Sequence, residues 1–316
     1  MLRRMLFISM IFVGLFVVSC QQSAAVEEGA AADVTVIEVT REVEVIREVE
    51  VPVEVTRIVE IEADVASEQV DPTGILSDQL LPIDIESFES SITERAHRIT
   101  IGLPMSYALD DGRDYPVAFV TDGDFYAIPL TMSAGQLAMD GEIPEVIVVG
   151  ADFGATEIED WVGFRYEYMR MEGREVYLQF FVEELIPYIE SKYRVKSTGR
   201  TLVGHSIGGK FAIHAMLNAP GTFTNFIVSS PSDAFSFRSD AKTFAANSLD
   251  TECKLFISLA EEDELALISG AEKFVSALDS ADSELISYEL VTLDNETHLS
   301  VRPRAFNDGL RWIYAQ

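Results

Sequence analysis

The sequence predicts an α/β fold over residues 76–316: a mainly parallel sheet covered by helices on both faces. Two observations carry this. Strand-like and helix-like segments alternate along the whole stretch, which is the pattern of a sheet whose crossovers are helical. Several of the strand-like runs are also apolar throughout, as strands buried on both faces must be.

In chain order, "HRITIGLP" from His97 alternates apolar and polar residues and reads as a half-buried strand. "YPVAFVTDGD" and "EVIVVGAD" are unbroken apolar runs that stop at Gly and Asp, as buried parallel strands do. "REVYLQFFVEELIPYIESKY" has its apolar residues at helical spacing. Strand "TLVGHS" then leads into helix "IGGKFAIHAMLNA". Strands "FTNFIVSSPS" and "KLFISLAEED", helix "GAEKFVSALDS", strand "SYELVTLDNETH" and a closing helix to Tyr314 complete the body. In such a sheet the functional site lies at the carboxyl ends of the strands. The polar clusters of this sequence follow those ends.

Ahead of the body, residues 1–19 read as a lipoprotein signal peptide. Arg3 and Arg4 precede an apolar run from Met5 to Val18, too short and wrongly flanked for a membrane span. The run ends in "VVSC", which resembles a bacterial lipobox, so Cys20 is the expected lipidation site and the start of the mature chain. Residues 20–75 follow as a lipidated N-terminus, stalk and linker. Their units "EVTREV", "EVIREV", "EVPVEV" and "TRIVEI" repeat every six residues with a period-two pattern. Pro52 and the density of β-branched residues oppose a continuous helix. An extended spacer is the expectation, and self-association through its valines is the less favoured reading.

The formal charge of −30 on 316 residues repels phosphate backbones, which argues against a nucleic-acid partner. Only Cys20 and Cys253 are present; with Cys20 lipidated, Cys253 has no partner and reads as a small core residue. The four histidines are scattered without metal-ligand spacing, and no dinucleotide fingerprint appears, so neither metal nor cofactor is expected.

The chemistry centres on Ser206 in "GHSIGG". A Gly-x-Ser-x-Gly between strand and helix puts a serine on a sharp turn that only glycines at 204 and 208 allow. A serine hydroxyl needs a base. His97 opens an early strand, His205 adjoins the serine and should point away from it, and His214 lies among Ala212, Ile213 and Ala215 as a core residue would. His298, on the polar loop after the last strand, is the expected base. The acid should fall between nucleophile and base in chain order. "LFISLAEEDE" offers Glu261, Glu262, Asp263 and Glu264, and composition does not choose among them. The amide of Ile207 is one expected oxyanion donor, and Gly123 or Asp124 the other.

These residues, with "YPVAFVTDGDFYA", "SSPS" and "ETHLSV", resemble the esterase D-like α/β-hydrolases, which include the enterochelin-esterase-like enzymes. The resemblance runs from about His97 to the C-terminus. It implies an α/β-hydrolase fold with Ser206 as nucleophile, His298 as base and Asp263 as acid. Ala260 stands where the family carries glycine before that acid. Arg165 falls near a family arginine, with a substrate contact and a surface salt bridge as alternative roles. Phe153, Trp161, Phe164, Tyr166 and Phe235 are the expected pocket walls. The expected activity is hydrolysis of a small or acylated ester, siderophore-type esters included, by a lipid-anchored protein on the extracytoplasmic side of a bacterial membrane. A non-catalytic binding lipoprotein and an acyltransferase with the same triad are the alternatives.

Overall fold

The computed structural model describes residues 82–109, 112–170, 172–246, 250–280 and 283–314. The signal peptide (1–19), Cys20 and the stalk and linker (20–75) lie outside the described residues. Eight strands form one sheet in the order β1-β2-β4-β3-β5-β6-β7-β8. They are β1 (Ile83–Ser90), β2 (Arg95–Gly102), β3 (Val117–Thr121), β4 (Ile147–Ala151), β5 (Thr201–His205), β6 (Asn225–Ser229), β7 (Cys253–Ala260) and β8 (Ile286–Leu293). β1 and β2 run antiparallel to their neighbours, and the six strands from β4 to β8 are mutually parallel.

Period-two burial divides the side chains of each central strand between two cores. Phe119, Leu202, Phe226 and Ile257 enter one core, while Val120, Val203, Ile227 and Phe256 enter the other. The second core is covered by α1 (Gly123–Met139), through Ala127, Leu130 and Ala134, and by the closing helix α8 (Arg302–Tyr314), through Phe306, Leu310 and Ile313. The first core lies under α2 (Ile158–Arg170), α3 (Arg174–Gln179), α4 (Ile186–Lys192), α5 (Ile207–Asn218), α6 (Arg238–Ala246) and α7 (Leu265–Asp279). A π-helical turn, Phe180–Leu185, joins α3 to α4 within the single helical stretch read from the sequence. It sets Phe180 against His97, ring centroids 4.2 Å apart, and buries Phe181.

Four elements escaped the sequence reading: β1, α1, α2 and α6, the last two lying in stretches read only as pocket walls. β1 is an edge strand whose exposed polar residues blur its alternation. α1 is apolar nearly all round and contains Pro129, so its period is weak. Cys253 is buried as expected, and burial pushes its thiol up to about 12.

Candidate active site

The carboxyl ends of the parallel strands carry most of the backbone strain. Of the described non-glycine residues with positive φ, Asp122, Ser206, Ser230, Asp233 and Asn295 all follow β3, β5, β6 or β8 there; Glu94 is the exception. Such conformations persist only where surrounding structure enforces them.

Ser206 shows how. Its backbone sits at φ 56 and ψ −113, directly before α5. The turn closes because Gly204 and Gly208 lack side chains: a Cβ on Gly204 would lie 2.3 Å from the Gly208 carbonyl oxygen. On Gly208 it would lie 2.3 Å from Thr121 Oγ1. Backbone bonds lock the serine in place. Its N–H donates to Ser229 O at 2.9 Å, and its carbonyl accepts from the amides of Lys210 and Ser232.

His298 Nε2 lies 3.0 Å from Ser206 Oγ, and Nδ1 lies 2.7 Å from Asp263 Oδ1. An ionised carboxylate only accepts, so Nδ1 carries the proton and Nε2 is left to accept from the serine hydroxyl. Of the four candidate carboxylates, Asp263 alone is buried, while Glu261, Glu262 and Glu264 are exposed. Glu261 caps the Asn295 amide instead. Asp263 Oδ2 accepts from Ser230 Oγ at 2.6 Å and from the Ala260 amide at 2.8 Å. Three donors therefore fix this carboxylate. Ala260 in the family's glycine position leaves this geometry intact, because its amide rather than its side chain holds Asp263. Ser230 was not singled out as a functional residue, although it lies in the "SSPS" stretch that carries the family resemblance and at the end of β6, beside β7.

The other histidines serve the structure. His97 bonds Thr93 Oγ1 and Asp152 O, and burial lowers its pKa. His214 is buried in α5 beside Asn218, and burial lowers its pKa too. His205 packs its ring 4.7 Å from that of His298 and bonds Ser229 Oγ. Burial, with the neighbouring His298 ring and the positive charges of Arg302 and Arg165, pushes it down to about 2. It is a neutral wall behind the His298 ring.

The expected oxyanion donors sit at helix starts. Ile207 opens α5 and Gly123 opens α1, with Asp124 next, and the first amides of a helix lack intrahelical partners. Asp122 precedes Gly123 in the left-handed region and is fully buried. Arg165 meets it with Nε to Oδ1 at 2.8 Å and Nη2 to Oδ2 at 3.0 Å. Of the two alternatives read for Arg165 the salt bridge is the one found, but its partner is a buried carboxylate, so the pair is not at the surface. Burial raises the Asp122 pKa, and the Arg165 charge works against that.

Beside Ser206 and Ile207 opens a cleft of about 690 Å³ whose walls include Tyr166, Arg170, Phe235 and Lys273. The expectation for Tyr166 and Phe235 holds. Phe153 is instead in the core, stacked on Tyr168 and tilted against Tyr177, since it follows β4 on its buried side. Phe164 lies under the Arg95 guanidinium, and Trp161 packs edge-on against Phe125. Neither lines that cleft.

Sheet order, strained serine turn and Ser–His–Asp chain together define an α/β-hydrolase. The chain belongs to the esterase family: the model described as "Putative esterase" matches residues 90–267, more than half of the sequence. It is 27% identical over 157 residues to the ferri-bacillibactin esterase BesA of Bacillus subtilis, covering 44% of this chain and 51% of that one. It is 38% identical over 149 residues to a siderophore enterobactin esterase of Emericella nidulans, covering 46% and 45%. The chain thus spans about half the length of these curated relatives. The fold matches the crystal structure of the BES protein from Bacillus cereus with a TM-score of 0.65 at 21% identity, covering 74% of this chain and 95% of that one. It also matches the siderophore hydrolase EstB from Aspergillus nidulans with a TM-score of 0.60 at 19% identity, covering 73% and 95%.

Proposed function

We propose that this protein is a serine esterase that hydrolyses siderophore-type carboxylic esters. The observation that carries the reading is the continuous hydrogen-bonded chain from Ser206 through His298 to a buried Asp263. Ser206 Oγ attacks the ester carbonyl while His298 Nε2 takes its proton, and Asp263 faces the resulting imidazolium. The oxyanion forms beside the amide of Ile207 and a first-turn amide of α1. Collapse expels the alcohol, which receives the proton from His298. Water then attacks the acyl-enzyme with His298 again as base, and the carboxylic acid leaves.

The substrate class is supported by the relatives named as siderophore esterases and by the side chains of the cleft. Arg170 lies 5.3 Å from the Tyr166 ring centroid and Lys273 lies 5.3 Å from that of Phe235, so aromatic faces and cations stand together beside the nucleophile. Asp233 and Glu264 line the same cleft and balance these cations, so it is the aromatic faces that favour an aryl-bearing ester.

The decisive experiment treats the protein with a fluorophosphonate and maps the adduct by mass spectrometry. Labelling at Ser206 that disappears in His298→Ala supports an activated serine; folded protein that resists labelling overturns it. Added alcohols that capture the acyl group in preference to water would convert the reading to acyl transfer. We place the enzyme on the extracytoplasmic face of a bacterial membrane, held by acyl chains on Cys20, on the strength of the lipobox-like "VVSC". Cys20→Ser should move the protein from the detergent phase to the aqueous phase in a detergent partition; unchanged partitioning would overturn the anchor.

A further inference from the structure

We propose that the Arg165–Asp122 pair positions the oxyanion site, by clamping the turn before Gly123 to the turn that carries Ser206. The inference rests on the esterase reading above. An oxyanion site built from two turns works only if the spacing between them is held, because donors must meet the developing charge at about 2.7–3.1 Å.

The sheet does not hold that spacing by itself. Parallel pairing of β3 with β5 runs from Ala118↔Thr201 to Val120↔Val203 and goes no further. Asp122 and Ser206 both lie beyond the last pair. Arg165, reaching in from α2, takes over at that point. It bonds both carboxylate oxygens of Asp122, and its Nη2 also donates to the carbonyl of His205 at 3.2 Å. One guanidinium therefore grips the residue before Gly123 and the residue before Ser206. Its planar fork makes both grips at fixed relative angles, which a lysine ammonium does not.

The seam it closes is tight. A Cβ on Gly208 would meet Asp122 Oδ2 at 3.1 Å as well as Thr121 Oγ1 at 2.3 Å. Asp122 is fully buried and held at φ 56, and the Arg165 side chain is 12% exposed. Burying such a pair contributes little net stability compared with apolar residues of the same volume. Its consequence is geometric: two strained turns keep one relative position.

Arg165→Lys keeps a charge opposite Asp122 but cannot hold both partners, and Asp122→Asn keeps the shape of the side chain. Both would be assayed with p-nitrophenyl acetate, and active sites counted by exhaustive fluorophosphonate labelling. The expected result is a kcat per labelled site about 10- to 100-fold below wild type, less than the cost of deleting an oxyanion donor outright. KM should stay within about twofold. Affinity for a trifluoromethyl ketone, which forms a tetrahedral adduct, should fall in parallel with kcat/KM. A purely structural role would lower the number of labelled sites and leave turnover per site unchanged, which would overturn the proposal. A raised KM at unchanged kcat would overturn it too, by making Arg165 a substrate contact. Wild-type protein that never labels would remove the esterase reading and this inference together; labelled wild type with normal variants removes this inference alone.

Discussion

Two strand-to-helix turns meet at the centre of this molecule, and they are held in opposite ways. The β5–α5 turn puts Ser206 at φ 56, and the β3–α1 turn puts Asp122 at the same φ. The first is held by clearance: glycines at 204 and 208 remove atoms that would collide at 2.3 Å. The second is held by charge: a guanidinium from a helix about forty residues away in sequence grips the strained aspartate on both oxygens. Clearance is a local property and leaves a motif. An ion pair between distant elements leaves none, which is why the serine turn could be read from "GHSIGG" whereas the salt bridge read for Arg165 came without its partner and was put at the surface.

The largest expected effect removes the chemistry of the first turn and leaves its shape. Ser206→Ala should lower kcat for ester hydrolysis by about 10⁶, with a circular-dichroism spectrum like that of wild type. Retained turnover would move the nucleophile elsewhere and end the comparison. Next comes the acid. Asp263→Asn should cost about 10⁴ in kcat, because an amide at that place no longer enforces the tautomer that leaves Nε2 to accept. Glu262→Gln, on the exposed neighbour, should stay within about twofold of wild type. Equal, small losses in both would show a Ser–His dyad.

A substitution in the seam itself sharpens the comparison. Gly208→Ala sets a methyl against Thr121 and Asp122, on the far side of the same contact that Arg165 closes. Overpacking of this kind costs about 1–3 kcal/mol, which urea denaturation would measure. Activity should fall further than the lost folded fraction explains, and an unchanged specific activity would show that the two turns tolerate a shift.

The smallest effect concerns the ring behind the base. His97, His205 and His214 all have pKa values lowered by burial, His205 to about 2. Unfolded, each would titrate near about 6.5. Below that value the unfolded chain binds more protons than the folded one, so stability is complete above it and is lost as pH falls toward the lowered values. The urea midpoint should therefore drop between pH 7.5 and pH 5. A flat midpoint would mean that these rings protonate freely in the folded protein.

Legibility followed the range of the interaction. Buried parallel strands announced themselves as apolar runs, and α1 was missed because a helix apolar all round carries little period. Phe153 was misplaced for a related reason: an aromatic after a strand looks the same whether it faces a cleft or the core. At the acid, four adjacent carboxylates were equal in composition, and a family resemblance favoured the one that burial singles out.

What the sequence determined alone was the set of parts and their order: an alternating strand–helix body, a serine between permissive glycines, an acid after it and a histidine last. Each rests on contacts between residues close in the chain, or on the period of a single element. Tertiary structure decided which carboxylate meets His298, by turning Asp263 inward onto Ser230 and the Ala260 amide. It also decided that Arg165 grips Asp122 and the His205 carbonyl. Both outcomes depend on where separate elements come to rest against one sheet, and burial there makes an unpartnered charge too costly to leave alone.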